Sequence, residues 1–172
     1  MPASVAIFKK YMNPVFIETG SFKGHGIQHA LDAGFSQIYS MEILPRYYHY
    51  CSVRFEEDAN IYIMHGDSTN ILTNLLPRID KRITFWLDAH LSSLPNVSSC
   101  PLLQELEIIR NHHIKNHTIL IDDLRDWNIP TYGFNVETLK ERILLINKDY
   151  KFLLEDGHVP NDILVGYVDN AS

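Results

Sequence analysis

Five short apolar runs alternate with segments of helical spacing, and this alternation constrains the fold more than any other feature of the sequence. The apolar runs, each rich in branched or aromatic residues, are Val15–Glu18, Gln37–Glu42, Ile61–His65, Ile83–Asp88 and Thr118–Asp122. Such runs are typical of parallel strands that are buried on both faces. The helical segments between them are Ile27–Ala33, Arg46–Phe55, Asn70–Leu76 and Leu102–Ile109. The repeated order of strand, helix and strand predicts an α/β fold with a doubly wound, mostly parallel sheet.

The pattern changes after the fifth run. Asn135–Ile146 has the apolar spacing of one more helix. Two short strand-like segments follow, Tyr150–Glu155 and Asp162–Val168, and the residues between them, DGHVPN, include the turn residues Gly157 and Pro160. The sheet is therefore expected to end in an antiparallel hairpin.

Composition limits the class of protein. The chain has 172 residues, the length of one domain, and no repeat or linker divides it, so residues 1–172 are expected to form a single domain. The formal net charge of −6 and the scattered basic residues argue against nucleic acid as a partner. No apolar run has the length of a membrane span and no secretory signal is visible, which predicts a cytoplasmic protein without membrane contact. Cys51 and Cys100 lack CxxC spacing and are expected to be free thiols.

The turn after the first predicted strand is rich in glycine. In VFIETGSFKGHG, glycines at 20, 24 and 26 let the backbone adopt positive φ and approach a ligand closely, and the following helix offers free N–H groups to an anion. The dinucleotide fingerprint GxGxxG is not matched, which disfavours a nicotinamide cofactor. Taken alone, the loop is equally compatible with a tight turn beside a solvated Glu18.

Acidic residues stand at the ends of three successive predicted strands. Glu18 ends the first, Glu42 ends the second, and Asp67 follows the third in MHGDS. The carboxyl ends of parallel strands border the ligand crevice, where an acid can accept hydrogen bonds from ribose hydroxyls. Asp67 alone could instead cap the helix that follows it. Together the three acids predict a nucleoside site, with Ser68 as a further polar contact.

A second acidic group follows strands four and five. FWLDAH places Asp88 and His90 after the fourth strand, and LIDD places Asp122 and Asp123 after the fifth. Adjacent strand ends lie only about 5 Å apart, and two carboxylates about 4 Å apart repel by roughly 4 kcal/mol at an effective dielectric near 20. Such a group needs a cation, and its oxygen donors favour magnesium, with manganese or calcium as alternatives. Taken singly, the aspartates could cap turns and His90 could be structural.

From Val15 to its C-terminus the chain resembles class I S-adenosylmethionine (SAM) dependent methyltransferases. A parallel sheet that ends in an antiparallel strand is their layout, and Glu18 before the glycine turn resembles their first motif. FWLDAH, PLLQELEII and HTILIDDLRDW further resemble small metal-dependent O-methyltransferases, although LSSLPNVSSC replaces their usual glycine-containing segment. The resemblance implies a three-layer, Rossmann-like sheet, SAM and magnesium as cofactors, and methylation of a hydroxyl on a small molecule, sugar or glycan.

The resemblance also assigns roles to residues. Asp88, Asp122 and Asp123 would hold the metal ion, and Asp88 and His90 would be catalytic, with His90 as general base or fourth ligand. The residues that would bind the cofactor are Glu18, Gly20, Ser21, Gly24, His25, Glu42, Ile43, Asp67, Ser68 and Asp88. Because little chain remains for an acceptor domain, the acceptor site is expected to be shallow, open to a large glycan, or completed by a second subunit of a homo-oligomer.

Two other functions remain open at this level. A binding module that keeps the nucleoside pocket without catalysing transfer fits the same residues, and so does a metal-dependent hydrolase that activates water between the acids. His112, His113 and His117 form a separate cluster. They stand at the opposite end of the fifth strand from the acids and are expected at a solvated helix end.

Overall fold

The computed structural model describes residues 3–90 and 100–169. The strands of this part of the chain are β1 (Val15–Thr19), β2 (Ile38–Glu42), β3 (Ile61–His65), β4 (Ile83–Leu87), β5 (Thr118–Ile121), β6 (Lys151–Glu155) and β7 (Ile163–Tyr167). They form one sheet in the order β3-β2-β1-β4-β5-β7-β6. Strands β1 to β5 are parallel, and β7 runs antiparallel to both β5 and β6. The expected parallel sheet with a C-terminal antiparallel hairpin is confirmed.

Helices cover both faces of this sheet. Those in the described residues are α1 (Val5–Lys10), α2 (His25–Ala33), α3 (Pro45–Arg54), α4 (Ser68–Leu75), α5 (Leu102–Asn111), α6 (Ile129–Tyr132) and α7 (Val136–Leu144), with short 3-10 turns at Leu76–Arg78 and Leu124–Asp126. None of these helices is long and apolar enough to cross a membrane. Residues 91–99, which hold most of the LSSLPNVSSC segment, lie outside the described residues.

The alternating side chains of the strands produce two separate cores. Val15 and Ile17 of β1 face the core formed with α4, α5 and α7. Phe16, between them, faces the opposite core, formed with α1, α2 and α3. Successive residues of a strand point to opposite faces of a sheet, which explains the division. The result is the expected three-layer arrangement of helices, sheet and helices.

Helical spacing in the sequence missed α1 and α6. The hydroxyl of Ser4 caps α1 by accepting a hydrogen bond from Ile7 N at 3.3 Å. Phe8 of α1 packs against Phe16 and Trp86, with ring centroids 4.9 and 5.3 Å apart. The two helices have six and four residues, too few for a periodic apolar stripe to be recognised.

The expectation of a solvated histidine cluster was wrong for His112 and His117, which are both buried. Ile83 N donates to Nδ1 of His117 at 3.1 Å, so the proton of that ring lies on Nε2, which donates to Nδ1 of His112 at 2.9 Å. Nε2 of His112 then donates to the carbonyl oxygens of Leu76 and Ile79 at 3.1 and 3.0 Å. Burial lowers the pKa of His117 to about 3. The pair is a neutral structural network that satisfies the backbone at the amino ends of the strands.

Candidate functional site

A cavity of about 720 Å³ opens at the carboxyl ends of the parallel strands. The predicted site residues that line it are Gly20, Glu42, Ile43, Asp67, Ser68, Asp88, His90 and Asp123. Residues that the sequence analysis did not assign also line it, including Phe22, Arg46, Tyr47 and Gln104. This is the position at which open α/β sheets bind their ligands.

The glycine turn and the end of β4 touch at this cavity. Gly20 has a φ of +87°, and a Cβ atom there would lie 2.6 Å from the carbonyl oxygen of Asp88. The backbone nitrogens of Gly20 and Ser21 donate to Met41 O of β2 at 2.9 and 3.0 Å. Any side chain at position 20 would push the turn away from Asp88, so the glycine keeps the turn after β1 in contact with the end of β4.

Glu18 lies beneath the glycine turn. Its side chain is buried, Ser40 donates a hydrogen bond to Oε2, and the hydroxyl oxygens of Ser40 and Ser21 are 2.6 Å apart. A Cβ atom at Gly26 would overlap Glu18 Oε1, so Gly26 leaves the space that this carboxyl occupies. Burial raises the pKa of Glu18 to about 8, although the hydrogen bond from Ser40 opposes the shift. Glu18 is therefore mostly protonated at neutral pH and supports the turn from within the protein.

Glu18, Ser21, Gly24 and His25, all predicted to bind the cofactor, are not among the described residues that line the cavity. Gly24 has a φ of +73° and closes the turn against α3, since a Cβ atom there would lie 2.7 Å from the ring of Phe55. Of these predicted residues of the glycine turn, the structure thus brings Gly20 to the cavity and leaves the other four out of its lining.

Glu42 joins the glycine turn to α3. Its Oε2 accepts a hydrogen bond from Phe22 N and its Oε1 accepts one from Leu44 N, each at 2.8 Å. Each carboxylate oxygen has a further lone pair with which it can accept a ligand hydroxyl. Phe22 has a φ of +45°, uncommon for a residue other than glycine, and its ring packs on Tyr47 with centroids 4.5 Å apart.

The end of β3 leads directly into α4, which begins at Ser68 rather than at the predicted Asn70. Asp67 caps the helix, and its Oδ1 accepts hydrogen bonds from the backbone nitrogens of Thr69 and Asn70 at 2.9 and 3.3 Å. The hydrogen bond from the Thr69 hydroxyl is the main reason that the pKa of Asp67 is lowered. Asp67 is thus a helix cap and also a lining residue of the cavity. Ser68 donates to Oε1 of Glu105, a buried acid of α5 that the sequence analysis missed.

His90 lies among carboxylates at the other end of the cavity. Its Nδ1 is 3.6 Å from Asp88 Oδ1, and its Nε2 is 3.2 Å from Asp123 Oδ2 and 3.8 Å from Asp126 Oδ2. The His90 side chain is 4% exposed, and neither ring nitrogen has a well-formed hydrogen bond within the described residues. Its ring meets that of Trp127 edge to face at 5.0 Å between centroids. A buried imidazole whose nitrogens face carboxylates without a well-formed hydrogen bond is able to take a proton or to bind a metal ion.

The charges at this end are poorly balanced. Burial, followed by the charges of Asp122 and Asp123, raises the pKa of Asp88 well above its usual value. Burial also opposes ionisation of Asp123, but contacts with His90 and Arg125 outweigh it and keep the pKa of Asp123 below its usual value. Asp88, His90 and Asp123 each offer a ligand atom within 4.8 Å of the others. The group is therefore suited to a cation, which would offset the repulsion that raises the pKa of Asp88.

Asp122, the third predicted metal ligand, is not among the described residues that line the cavity. Its Oδ1 is buried without a hydrogen-bond partner in the described part of the chain, and burial, then the charge of Asp123, raises its pKa to about 7. The predicted trio is thus divided between two groups that share Asp123. One contains Asp88 and His90, and the other contains Asp122 and Asp162.

Arg125 already supplies a positive charge to this second group. Its Nη2 lies 2.6 Å from Asp123 Oδ1, and its Nη1 pairs with the buried carboxylate of Asp162. Asp162 directly precedes β7, so the antiparallel hairpin contributes an acid that sequence analysis did not find. The pairing of β7 with β5 brings it there, and no local pattern around Asp162 indicates this long-range contact.

Comparison with known proteins identifies the fold. No protein-family model and no curated protein sequence matches the chain. An SAH-bound methyltransferase from Podospora anserina is 14% identical with a TM-score of 0.66, and the match covers 96% of this chain and 76% of that chain. The O-methyltransferase TomG from Streptomyces achromogenes, in complex with SAM, is 12% identical with a TM-score of 0.68, covering 96% and 78%. An O-methyltransferase from Bacillus cereus in complex with SAH is 11% identical with a TM-score of 0.67, also covering 96% and 78%.

At these identities the likeness concerns the fold alone. The chain has the class I, Rossmann-like methyltransferase fold that the sequence resemblance implied.

Proposed function

We propose that this chain is a SAM-dependent methyltransferase that methylates a hydroxyl of a small molecule, sugar or glycan with the help of a divalent cation. The observation that carries the proposal is a single cavity with two different ends. Polar groups at the end of β2 and after β3, namely Glu42, Asp67 and Ser68, line one end, which we call the nucleoside end. Asp88, His90 and Asp123 line the other, the acidic end. The fold supports the proposal, because solved methyltransferases bound to SAM or SAH share it.

The nucleoside end fits the adenosine part of SAM. Glu42 is held by backbone N–H groups and keeps lone pairs for the two ribose hydroxyls. Ile43, which is 50% exposed, offers apolar surface to the base, and Asp67 and Ser68 offer oxygen acceptors to its amino group. When bound, SAM supplies an electrophilic methyl group on a positively charged sulfur, and the acidic lining of the cavity complements that charge.

Asp88 and Asp123 fit a divalent cation. Magnesium commonly takes one or two protein carboxylates and keeps water or substrate oxygens as its other ligands. If His90 served as a fourth ligand instead of as the base, its nitrogen would make manganese a further candidate, and calcium is an alternative for an all-oxygen set. Such an ion would lower the pKa of an acceptor hydroxyl bound to it.

His90 is assigned as the general base. A base needs a free nitrogen close to the proton that it removes, and both ring nitrogens of His90 are free of well-formed hydrogen bonds within the described residues. Asp123, 3.2 Å from Nε2, orients the ring and stabilises the imidazolium that forms. Trp127 packs against the ring and restricts the access of water.

A non-catalytic binding module is the second candidate, and one observation favours it. Arg125 is ion-paired with Asp123 and Asp162, so a protein side chain already balances part of the acidic end. A metal ion at Asp123 would have to share this carboxylate with Arg125. The chain could then keep its nucleoside end for binding alone.

Calorimetry with SAH, together with a methyl-transfer assay on a panel of hydroxyl acceptors, tests the proposal. We expect SAH to bind, transfer to require Mg²⁺ or Mn²⁺, and Asp88→Asn to remove transfer while SAH still binds. Asp80→Asn is the matched control, because the Asp80 side chain is 94% exposed. Failure of SAH to bind would overturn the proposal. Metal-independent binding without transfer would identify a binding module, and metal-dependent product formation without SAM would identify a hydrolase.

We further propose that residues 1–172 act as one cytoplasmic domain. The described residues share one sheet with a core on each face, and Cys51 and Cys100 are free thiols, as expected in a reducing compartment. A second copy of the chain would complete the shallow acceptor side of the cavity. Light scattering coupled to size exclusion, with and without SAH, measures whether such a homo-oligomer forms.

A further inference from the structure

Glu105 is an acid on the apolar face of α5. Helical spacing places it beside Leu102, Leu106 and Ile109, which belong to the core between α5 and the sheet. The residue is 1% exposed. Because a buried carboxyl is costly without polar partners, the contacts of Glu105 define its role.

The partners of Glu105 lie behind both ends of the cavity. Ser68 Oγ donates to Oε1 at 2.6 Å, and Ser68 lines the nucleoside end. Burial raises the pKa of Glu105 to about 7, opposed by the hydrogen bond from Ser68 and by the nearby hydroxyl of Thr19. Thr19 Oγ1 in turn accepts a hydrogen bond from Asp88 N at 3.3 Å. Oε2 of Glu105 has no partner among residues 3–90 and 100–169, so these hydroxyls account for its polar contacts.

When Glu105 is ionised its carboxylate can only accept, so the hydrogen bond with Ser68 then fixes the direction of the serine proton. A serine hydroxyl has one proton and two lone pairs. Since the proton of Ser68 then points towards Glu105, a ligand that reaches this oxygen from the cavity meets its lone pairs. Asp67, the neighbouring lining residue, is an acceptor as well. This end of the cavity therefore favours an N–H donor on a bound base and disfavours a group that lacks one.

We propose that Glu105 is a positioning residue for base selection, which by holding the proton of Ser68 makes the cavity select a nucleoside whose base carries an exocyclic amino group. The proposal rests on the proposed function, since it requires a nucleoside at this end. It adds the origin of the selectivity, which lies in a side chain of α5 that does not itself line the cavity.

Two ligands test the proposal on each variant, at a pH above the pKa of about 7 of Glu105 so that the carboxylate accepts from Ser68. They are SAH and its analogue with hydrogen in place of the 6-amino group of adenine. Wild type should bind the analogue about tenfold more weakly, the loss that follows from one hydrogen bond. In E105L the Ser68 hydroxyl is free to rotate and to donate, so the ratio of dissociation constants should fall to about two. E105Q keeps a carbonyl acceptor for Ser68 and should retain most of the ratio.

The ratio of the two dissociation constants separates a positioning role from a general structural effect, because a less stable fold would weaken the binding of both ligands equally. Glu107→Leu is the matched control on the same helix, where the Glu107 side chain is 43% exposed, and its ratio should equal that of wild type. S68A alone should lower the ratio of dissociation constants as E105L does. If Glu105 acts through Ser68, adding E105L to S68A should not change this ratio further. S68A also carries the test if E105L does not fold.

The outcomes distinguish this inference from the proposed function. A wild-type ratio in S68A, or in E105L with SAH still bound, would overturn the role of Glu105 and leave the methyltransferase proposal standing. Failure of the wild-type protein to bind SAH at all would overturn the proposed function itself.

Discussion

The carboxylates at the two ends of the cavity have different hydrogen-bond environments. At the nucleoside end, backbone N–H groups of the adjoining turn and helices donate to Glu42 and Asp67. At the acidic end, the pKa of Asp88 is raised and His90 has no well-formed hydrogen bond within the described residues. The first end is therefore preorganised by the fold, whereas the second has charges that a proton, Arg125 or a ligand must balance. The difference agrees with the proposed function, in which the nucleoside end binds the cofactor and the acidic end exchanges protons or cations.

The largest expected effect comes from removing the base at the acidic end. His90→Gln can still form hydrogen bonds but cannot accept a proton at neutral pH, so kcat should fall about 10²–10⁴-fold. Titration with SAH should give the wild-type affinity, because His90 lies outside the nucleoside end. His113→Gln, at a histidine whose side chain is 55% exposed, is the control. A loss of SAH affinity equal to the loss of kcat would remove the functional division between the two ends.

The next effect is stabilisation by a cation at the same end. A ligand that binds only the folded state at 100 times its Kd adds about 2.7 kcal/mol, which raises Tm by several degrees in a domain of this size. Burial raises the pKa of Asp88 and that of Asp122, to about 7 for Asp122, so bound protons compete with the cation. The rise in Tm with Mn²⁺, measured by thermal unfolding, should be larger at pH 8 than at pH 6.

Two variants decide whether that stabilisation belongs to the acidic end. Asp88→Asn should abolish the rise in Tm with Mn²⁺, and Asp80→Asn, at an exposed side chain, should retain it. An equal rise at both pH values, or one that survives Asp88→Asn, would show that the cation binds elsewhere.

A smaller effect is expected when the preorganised end is disturbed. Glu42→Gln leaves one carbonyl to serve the two backbone donors, Phe22 N and Leu44 N, so one of them loses its acceptor. The affinity for SAH should fall about 10- to 30-fold, equivalent to about 1.5–2 kcal/mol. Glu56→Gln, at an exposed position of the chain, should bind SAH as wild type does. A fall in kcat at saturating SAM without a change in affinity would place Glu42 in the chemistry rather than in binding.

The sequence predicts which edge of the sheet carries the site, but not how each side chain is turned. Apolar runs followed by acids locate the strand ends correctly. β1 extends to Thr19, however, so Glu18 is still a strand residue and faces the core of α2 rather than the cavity. Asp123 has a φ of +56°, which reorients the chain directly after β5 and separates Asp123 from Asp122. A left-handed residue other than glycine has no sequence signature that spacing could reveal.

Residues distant in the chain were beyond prediction for another reason. Glu105 and Asp162 reach the site through the packing of α5 and the pairing of β7 with β5. The signal for Glu105 was an acid on the apolar face of a helix, which indicates burial but not a partner. Asp162 was only the first residue of a predicted strand, and long-range pairing alone gives it a role.

The smallest expected effect concerns Glu18, the buried acid beneath the glycine turn. The folded protein raises the pKa of Glu18 from its usual 4.5 to about 8 through burial. Between these values the folded state holds a proton that the unfolded chain has released, so the free energy of unfolding falls as pH rises, by up to about 1.4 kcal/mol per pH unit. This contribution to stability is fully present below about pH 4.5 and is lost by about pH 8.

Glu18→Gln is neutral at every pH and lacks this dependence. The difference in unfolding free energy between variant and wild type, measured with urea, should therefore grow by about 1 kcal/mol from pH 6 to pH 7 and level off above pH 8. Glu57→Gln, at an exposed position, should run parallel to wild type. A difference for Glu18→Gln that stays constant across the range would mean that Glu18 is ionised when folded. The glycine turn would then lie on a buried carboxylate without a balancing charge. The nucleoside end would in that case contain an unbalanced charge, as the acidic end does, and the contrast between the two ends would be lost.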